Sequence, residues 1–274
     1  MNAPMGNLVT YRALPTQTVD HIDPFLFLNH HGPQDFPPNN NGLPFGPHPH
    51  RGFETLTFVI DGDVVHKDTT GGSSKVVKGG VQWMTAARGL IHSEVSSKEF
   101  MKTGGREEIL QLWMNLPSHL KMSKPKYEGF EYEDITHFTL DNEKVKVNLI
   151  SGEWKGHKGP KDSITDLFMT SIELESGGNF EMDVEEKRSI FFYVVRGKLK
   201  VNDEKAEMLQ LVEFSNDGKT LKVEALEDSI ILFGHGEPYN ERIVAHGPFV
   251  MNSEGEIAQA MNDYQTGKMG VWKE

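Results

Sequence analysis

Apolar and polar residues alternate in short runs along most of this chain, and turn residues cut the runs off. Between residues 53 and 86 the runs read ETLTFVI, DVVHKDT, KVVKGG and VQWMTA, with DG and TGGSS among the connections. Strands of this length, spaced by glycine-containing turns, predict an all-β sandwich or barrel. After Glu94, ILQLWMN alternates like a further strand returning to that barrel. The rhythm restarts in the second half with KVKVNLISGEW, SITDLFMTSIELES, SIFFYVVRGKLKVND and TLKVEALEDSIILFGHG. FFYVVRGKLKVN echoes TFVIDGDVVHKD, which points to duplication of one barrel. The polar, Pro-bearing stretch LPSHLKMSKPKYEGFEYEDITHF lies between the two sets. A boundary is therefore expected near residues 120–145, with domains at 1–135 and 136–274.

The ends and connections follow from the same reading. LVTYRAL alternates like an edge strand, whereas DPFLFLNHHGPQDFPPNNNGLPFGP is rich in Pro, Gly and Asn and is expected to be irregular loop. Asp35, Phe36 and Phe45 would then line a pocket rim. Near the C-terminus, EIAQAMNDYQTGKM places Ile257, Met261, Tyr264 and Gln265 at helical spacing. Ser253 and Glu256 form a capping box and Gly267 a terminator. A short helix packed on a barrel is predicted there, inside the second domain.

Two histidine-containing stretches carry the candidate chemistry. His48 and His50 form an H-x-H pair in a run that continues into ETLTFVI, a β-favouring segment. Side chains two apart on a strand share a face, so both imidazoles can converge. GLIHSE gives His92 and Glu94 the same spacing, and four ligand-type side chains can meet. Neutral imidazoles and a carboxylate suit a borderline divalent metal, with open positions if the ion is six-coordinate. Iron is the first candidate, with Mn, Ni, Co and Cu as alternatives. Glu54 has the same strand parity as the two histidines and competes with Glu94. His66 reads as an ordinary strand residue, Trp83 and Met84 as core, His119 and His137 as solvated, and His235 and His246 as locally hydrogen-bonded.

Gly42, His48, His50 and Glu54, followed by Gly80, Gly89 and His92, resemble the two metal-binding motifs of the cupin barrel. The resemblance narrows over GPHPHRGFETLTFVIDG, VQWMTAARGLIHSE and LQLWMNLPSHLKMSKPKYE. DPFLFLNHHGP upstream and HGPFVMNSEGEIAQAMNDYQTGKMG near the end complete a likeness to the pirin family over about residues 23–270. It implies two tandem jelly-roll-like cupin barrels, of which only the N-terminal one binds a metal, usually iron. The implied ligands are His48, His50, His92 and Glu94, with Glu54 outside the set. The implied activity is of quercetin 2,3-dioxygenase type, in which O₂ opens the central ring of a flavonol and carbon monoxide leaves, with Glu94 as proton acceptor. Some pirins act instead as redox-responsive co-regulators of transcription through a protein partner, and that is the alternative. The chain departs from the family pattern at Ala87, at Gly80 and in LNHHGP, where His30 or His31 would alter the pocket mouth. FEMDVEEKRS in the second half has no H-x-H, so no equivalent metal site is expected there.

Composition narrows the partners. The 274 residues contain no cysteine, so any metal must be held by nitrogen and oxygen. A formal net charge of −12 argues against direct contact with nucleic acid, which needs a basic face. Lys121, Lys124 and Lys126 are read as a solvated loop. No apolar run has membrane-spanning length, and the N-terminus lacks the basic and apolar regions of a signal peptide. A cytoplasmic monomer is expected, acting on a flavonol-like small molecule and O₂.

Overall fold

The computed structural model describes residues 2–215 and 217–273. Among them the chain forms two compact units. One comprises Met1–Thr18, Phe25–Tyr132 and Tyr239–Glu274, the other Val19–Pro24 and Glu133–Pro238. No helix among the described residues is long and apolar enough to cross a membrane.

The first unit contains β1 (Thr10–Leu14), β2 (Phe25–Phe36), β3 (Phe45–His50), β4 (Phe53–Asp61) and β5 (Asp63–Asp68), then β6 (Ser73–Val77), β7 (Val81–Thr85), β8 (Leu90–Val95), β9 (Gly105–Asn115) and β10 (Lys126–Phe130). They form a six-stranded sheet in the order β1-β2-β9-β4-β7-β10 and a four-stranded sheet in the order β3-β8-β5-β6. Thr57, Gln82 and Gln111 sit in register on three neighbouring strands of the first sheet. All three donate hydrogen bonds to Glu94 on the second, so the two sheets enclose one interior. A short helix, α1 (Lys98–Thr103), is capped by Ser97, whose Oγ accepts from Phe100 N and donates to Asp63.

Two local expectations are corrected. The stretch read as irregular loop holds β2, a 12-residue strand paired to β1 on one side and β9 on the other. Its Pro33 falls in the register shift between His31 and Gln34, where a missing N–H leaves no ladder bond unmade. The H-x-H segment does not continue into ETLTFVI as one strand. Gly52 adopts φ +92°, and a Cβ there would collide with the Val250 carbonyl. The chain breaks at Arg51–Gly52 and passes from the four-stranded to the six-stranded sheet.

The second unit repeats the two-sheet plan. Its six-stranded sheet runs Thr136–Leu140, Val145–Ser151, Phe168–Leu174, Ser229–Gly236, Ser189–Arg196 and Leu211–Val212 in spatial order, and its four-stranded sheet holds Asn179–Asp183, Thr220–Ala225, Lys198–Val201 and Glu204–Glu207. Its interior is apolar, built from residues such as Val147, Leu149, Ile172, Phe192, Val194 and Phe233. His235 accepts a hydrogen bond at Nδ1 from Arg188 Nε, 2.7 Å away. His137 is half-buried against Asn148 rather than solvated, while His119 is exposed.

The C-terminal segment does not belong to the second barrel, as the sequence reading had it. A hairpin of Val244–His246 and Phe249–Met251 and the helix α2 (Glu254–Gln265) join the first unit. Phe249, Met251, Ile257 and Met269 pack with Ile91 of β8. The buried face of α2 is Ile257, Ala260 and Asp263, whereas Met261 and Tyr264 are exposed. The expected apolar stripe is rotated because Asp263 faces inward to pair with buried Arg51, Oδ2 to NH2 at 3.0 Å.

Several polar side chains lie deeper than expected. Lys121 is buried, and its Nζ donates to Gly52 O, Asn115 Oδ1 and Val250 O at 2.8, 2.6 and 3.1 Å. An ammonium has three protons, and these three acceptors use them all. His30 and His31 line no pocket mouth: both are buried, one 2.8 Å from Glu108 and the other 2.8 Å from Thr10 Oγ1. Glu107 is fully buried beside Gly62. Burial, then the negative charges of Asp63 and Asp61, push its carboxyl up to about 8.

Lys121→Met leaves three buried acceptors without their donor and is expected to destabilise the protein by about 2–4 kcal/mol, measured by urea denaturation. Folded Glu107 keeps its proton to about pH 8, against an ordinary value of 4.5 in the unfolded chain. The folded state therefore holds the extra proton between those values, and stability falls as pH rises through that window. Glu107→Gln should be more stable than wild type at pH 8, with the difference closing as pH falls toward 4.5. Urea midpoints across that range check it.

Candidate metal centre

β3 and β8 pair antiparallel with His48 opposite His92, and β8 pairs β5 with His66 opposite Glu94 and Asp68 opposite His92. Strand parity turns His48, His50, His92 and Glu94 into the barrel interior. One ligand atom from each of the three histidines lies within 4.8 Å of the others. The ring centroids are 4.3 Å apart for His48 and His92, 4.8 Å for His48 and His50, and 4.9 Å for His50 and His92.

The nitrogens are prepared for a cation. His48 Nδ1 donates to Gly46 O at 2.7 Å and His50 Nδ1 to Pro248 O at 3.3 Å, which leaves the lone pair of each ring on Nε2. His50 Nε2 and both nitrogens of His92 are buried with no hydrogen-bond partner. Burial, then the neighbouring His48, lowers the His50 pKa to about 3. Burial, then His50, His48 and His66, holds His92 well below the ordinary imidazole range. Both rings are therefore neutral at ordinary pH and able to act as ligands. Nitrogens bound about 2.1 Å from one ion lie at most about 4.2 Å apart, so a small closing movement lets the set grip one. The donor set is nitrogen with a carboxylate nearby, which fits a divalent first-row metal.

Glu94 lies beside the triad, Oε2 4.0 Å from His92 Nδ1. Its Oε1 accepts from Thr57 Oγ1 at 3.1 Å and from Gln82 Nε2, and its Oε2 accepts from Gln111 Nε2 at 2.6 Å. Glu54, the rival, is turned away. On β4 it has the opposite parity to inward Thr55 and Thr57, and its Oε1 accepts from Trp83 Nε1 at 3.0 Å and Thr85 Oγ1 at 2.5 Å. The strand break at Gly52 is what undoes its apparent parity with the histidines.

The surroundings include residues that sequence reasoning missed. His66 is fully buried, donates Nε2–H to Asp68 Oδ2 at 2.9 Å and stacks on Tyr127 at 3.7 Å. Burial works to raise the Asp68 pKa, but hydrogen bonds from His66 and Thr70 keep it lowered. Tyr127 OH meets Gln82 Oε1 at 3.2 Å and Ser74 Oγ at 2.5 Å, and burial raises its pKa. Gln82 and Gln111 were detectable as amides on inward positions of otherwise apolar strands, VQWM and ILQLWMN. On the other side of His50, Phe27, Trp113 and Phe53 stack at 4.6 and 4.4 Å, with Trp113 5.2 Å from the His50 ring. Phe36 packs on Phe100, Phe45 lies 5.0 Å from His31, and Asp35 is exposed.

Two jelly-roll-type barrels in tandem, with a histidine triad of two buried rings and one half-buried ring in the first alone among the described residues, define a bicupin with one candidate metal centre. The chain belongs to the pirin family. The pirin family model matches residues 7–114, and that of the pirin C-terminal cupin domain matches 169–270. The latter match extends into the tail that the structure assigns to the first unit. A Pseudomonas aeruginosa protein provisionally named as a quercetin 2,3-dioxygenase is 39% identical over 97% of this chain and 91% of its own length. A pirin-like protein of Caulobacter vibrioides is 37% identical, covering 94% and 91%. The crystal structure of a quercetin 2,3-dioxygenase from Acinetobacter baumannii superposes with a TM-score of 0.89 at 37% identity, covering 96% of this chain and 92% of that one.

Proposed function

We propose that this protein is a metal-dependent dioxygenase of quercetin 2,3-dioxygenase type, which cleaves the central ring of a flavonol with O₂ and releases carbon monoxide. His48, His50 and His92 hold one divalent ion, Fe(II) first among Fe, Mn, Ni, Co and Cu. Glu94 is the fourth candidate ligand and the proton acceptor. The observation that carries this reading is the set of buried, partnerless imidazole nitrogens beside a carboxylate, in a chain related to proteins named for that reaction.

When bound, the ion supplies Lewis acidity that makes a flavonol hydroxyl easier to ionise. The chain's residues do the rest. Glu94 Oε2 takes the hydroxyl proton and returns it to the opened product. Gln111, Gln82 and Thr57 donate to that carboxylate, which keeps it oriented before the substrate arrives. The stacked rings of Phe27, Trp113 and Phe53 offer a flat apolar wall against which a planar ring system can lie. The largely buried lining excludes bulk water and strengthens each polar contact.

His92→Ala should abolish metal retention, as read by elemental analysis after dialysis. Glu94→Gln, an isostere without the charge, should retain a metal yet lower kcat/KM for flavonol oxidation by about 10²–10⁴. A co-regulator would keep its protein-partner binding in that variant with no turnover to lose. Metal-loaded wild type that consumes no O₂ with any of a flavonol panel, anaerobic loading included, overturns the dioxygenase reading.

A further inference from the structure

One ring of the triad is oriented from the far end of the chain. His50 Nδ1 faces the Pro248 carbonyl across 198 residues. The same carbonyl accepts from Arg51 N at 3.4 Å, Val250 N donates to Arg51 O at 3.0 Å, and Arg51 and Phe249 form a parallel bridge. Pro248–Val250 thus runs alongside His50–Arg51 like an added strand. No residue of the four-stranded sheet supplies that acceptor to His50.

Three anchors hold the added strand in place. The buried Arg51 side chain donates Nε–H to Arg88 O at 2.6 Å and NH2 to Asp263 Oδ2 at 3.0 Å. Arg88 lies in the turn before β8, so one guanidinium ties the end of the His48–His50 strand, the start of the His92 strand and α2 together. Lys121 bridges Gly52 O and Val250 O. Thr69 Oγ1 donates to Met269 O and accepts from Ile91 N, one residue before His92. Gly52 and Gly89 have positive φ, and a Cβ at either would press on Val250 or Met269, so the tail approaches both histidine strands at backbone distance.

Resting on the metal reading above, we infer that the C-terminal segment 244–270 is a positioning element of the metal centre. Its Pro248 carbonyl selects the His50 tautomer with a free Nε2, and the Arg51–Asp263 pair holds that carbonyl in register. Ligating histidines depend on the acceptor at their other nitrogen for orientation and basicity, and losing such a partner lowers metal affinity about 10–100-fold. A tail that merely covered the apolar surface at Ile91 would affect stability and leave affinity alone.

The test is titration of the metal-free, full-length protein with Co²⁺, followed by visible absorption, alongside thermal melting. Asp263→Asn is expected to weaken Co²⁺ binding by about tenfold and to change the absorption band, with Asp263→Glu restoring much of both. Wild-type affinity and spectrum in Asp263→Asn would overturn the inference, whatever the melting temperature does. If that variant does not melt cooperatively, Arg51→Lys replaces it. It keeps a charge opposite Asp263 but loses the planar fork that also reaches Arg88 O. Weakened Co²⁺ binding there supports the inference, and unchanged binding overturns it. A wild-type chain that binds no Co²⁺ at all overturns the metal reading together with this one, whereas loss confined to the variants leaves both standing.

Discussion

Burying an imidazole nitrogen without a partner costs about 1–3 kcal/mol, and the first barrel does so at His50 Nε2 and at both nitrogens of His92. His50 Nε2 and one nitrogen of His92 lie close to each other and to a nitrogen of His48, and burial keeps the His50 and His92 rings neutral. The surrounding sheet offsets the cost. Leu56, Phe58, Leu110, Leu112 and Met114 on strands β4 and β9 are essentially inaccessible, while the alternate positions of those strands carry Thr55, Thr57 and Gln111 inward. One face stabilises the barrel and the other equips its interior. A cation among the three rings would turn their unmade contacts into bonds, and so couple the site to stability.

The second barrel shows what the same architecture becomes without that constraint. Its inward positions carry Val147, Leu149, Phe168, Phe192, Val194 and Phe233, which fill the interior with apolar side chains. Among the described residues no cluster of ligand side chains like the triad of the first unit gathers there. His235, the histidine of its return strand, is stacked 4.6 Å from Phe168 and hydrogen-bonded by Arg188. A barrel without the H-x-H pair is more stable with hydrocarbon in place of the ligands, which is what fills the second unit.

Strand parity made much of the site legible in the sequence. A period of two is rigid enough that H-x-H and H-x-E spacing placed four side chains on inward faces before any tertiary contact was known. The same rule misled at Glu54, because parity holds only while the strand continues and Gly52 ends it. Pro-rich composition hid β2, whose proline falls at an irregular pair. Charge misled at Lys121, and the expected helical stripe left out Asp263; both are polar residues that face inward because specific buried partners exist. Such partners lie far away in sequence. Local pattern reports which face a residue occupies but not what the opposite wall supplies, so the Gln82, Gln111 and Tyr127 network around Glu94 emerges only from the fold.

That distance in sequence has a physical consequence for how the site is assembled. His48 and His50 depend on β3, His92 and Glu94 on β8, and the donors to Glu94 on β4, β7 and β9. The acceptor for His50 arrives only when residue 248 has folded back past the whole second unit in the chain. Loop closure over such spans costs entropy that must be met by contacts formed together rather than one by one. The ligand geometry is therefore a property of the completed first unit, tail included, and not of the segment that contains the motifs. The first 135 residues hold every candidate ligand, but the carbonyl that sets one ligand's tautomer and the carboxylate that fixes Arg51 lie outside them. A metal-binding domain defined by its motifs alone would omit the part of the chain that makes those motifs converge.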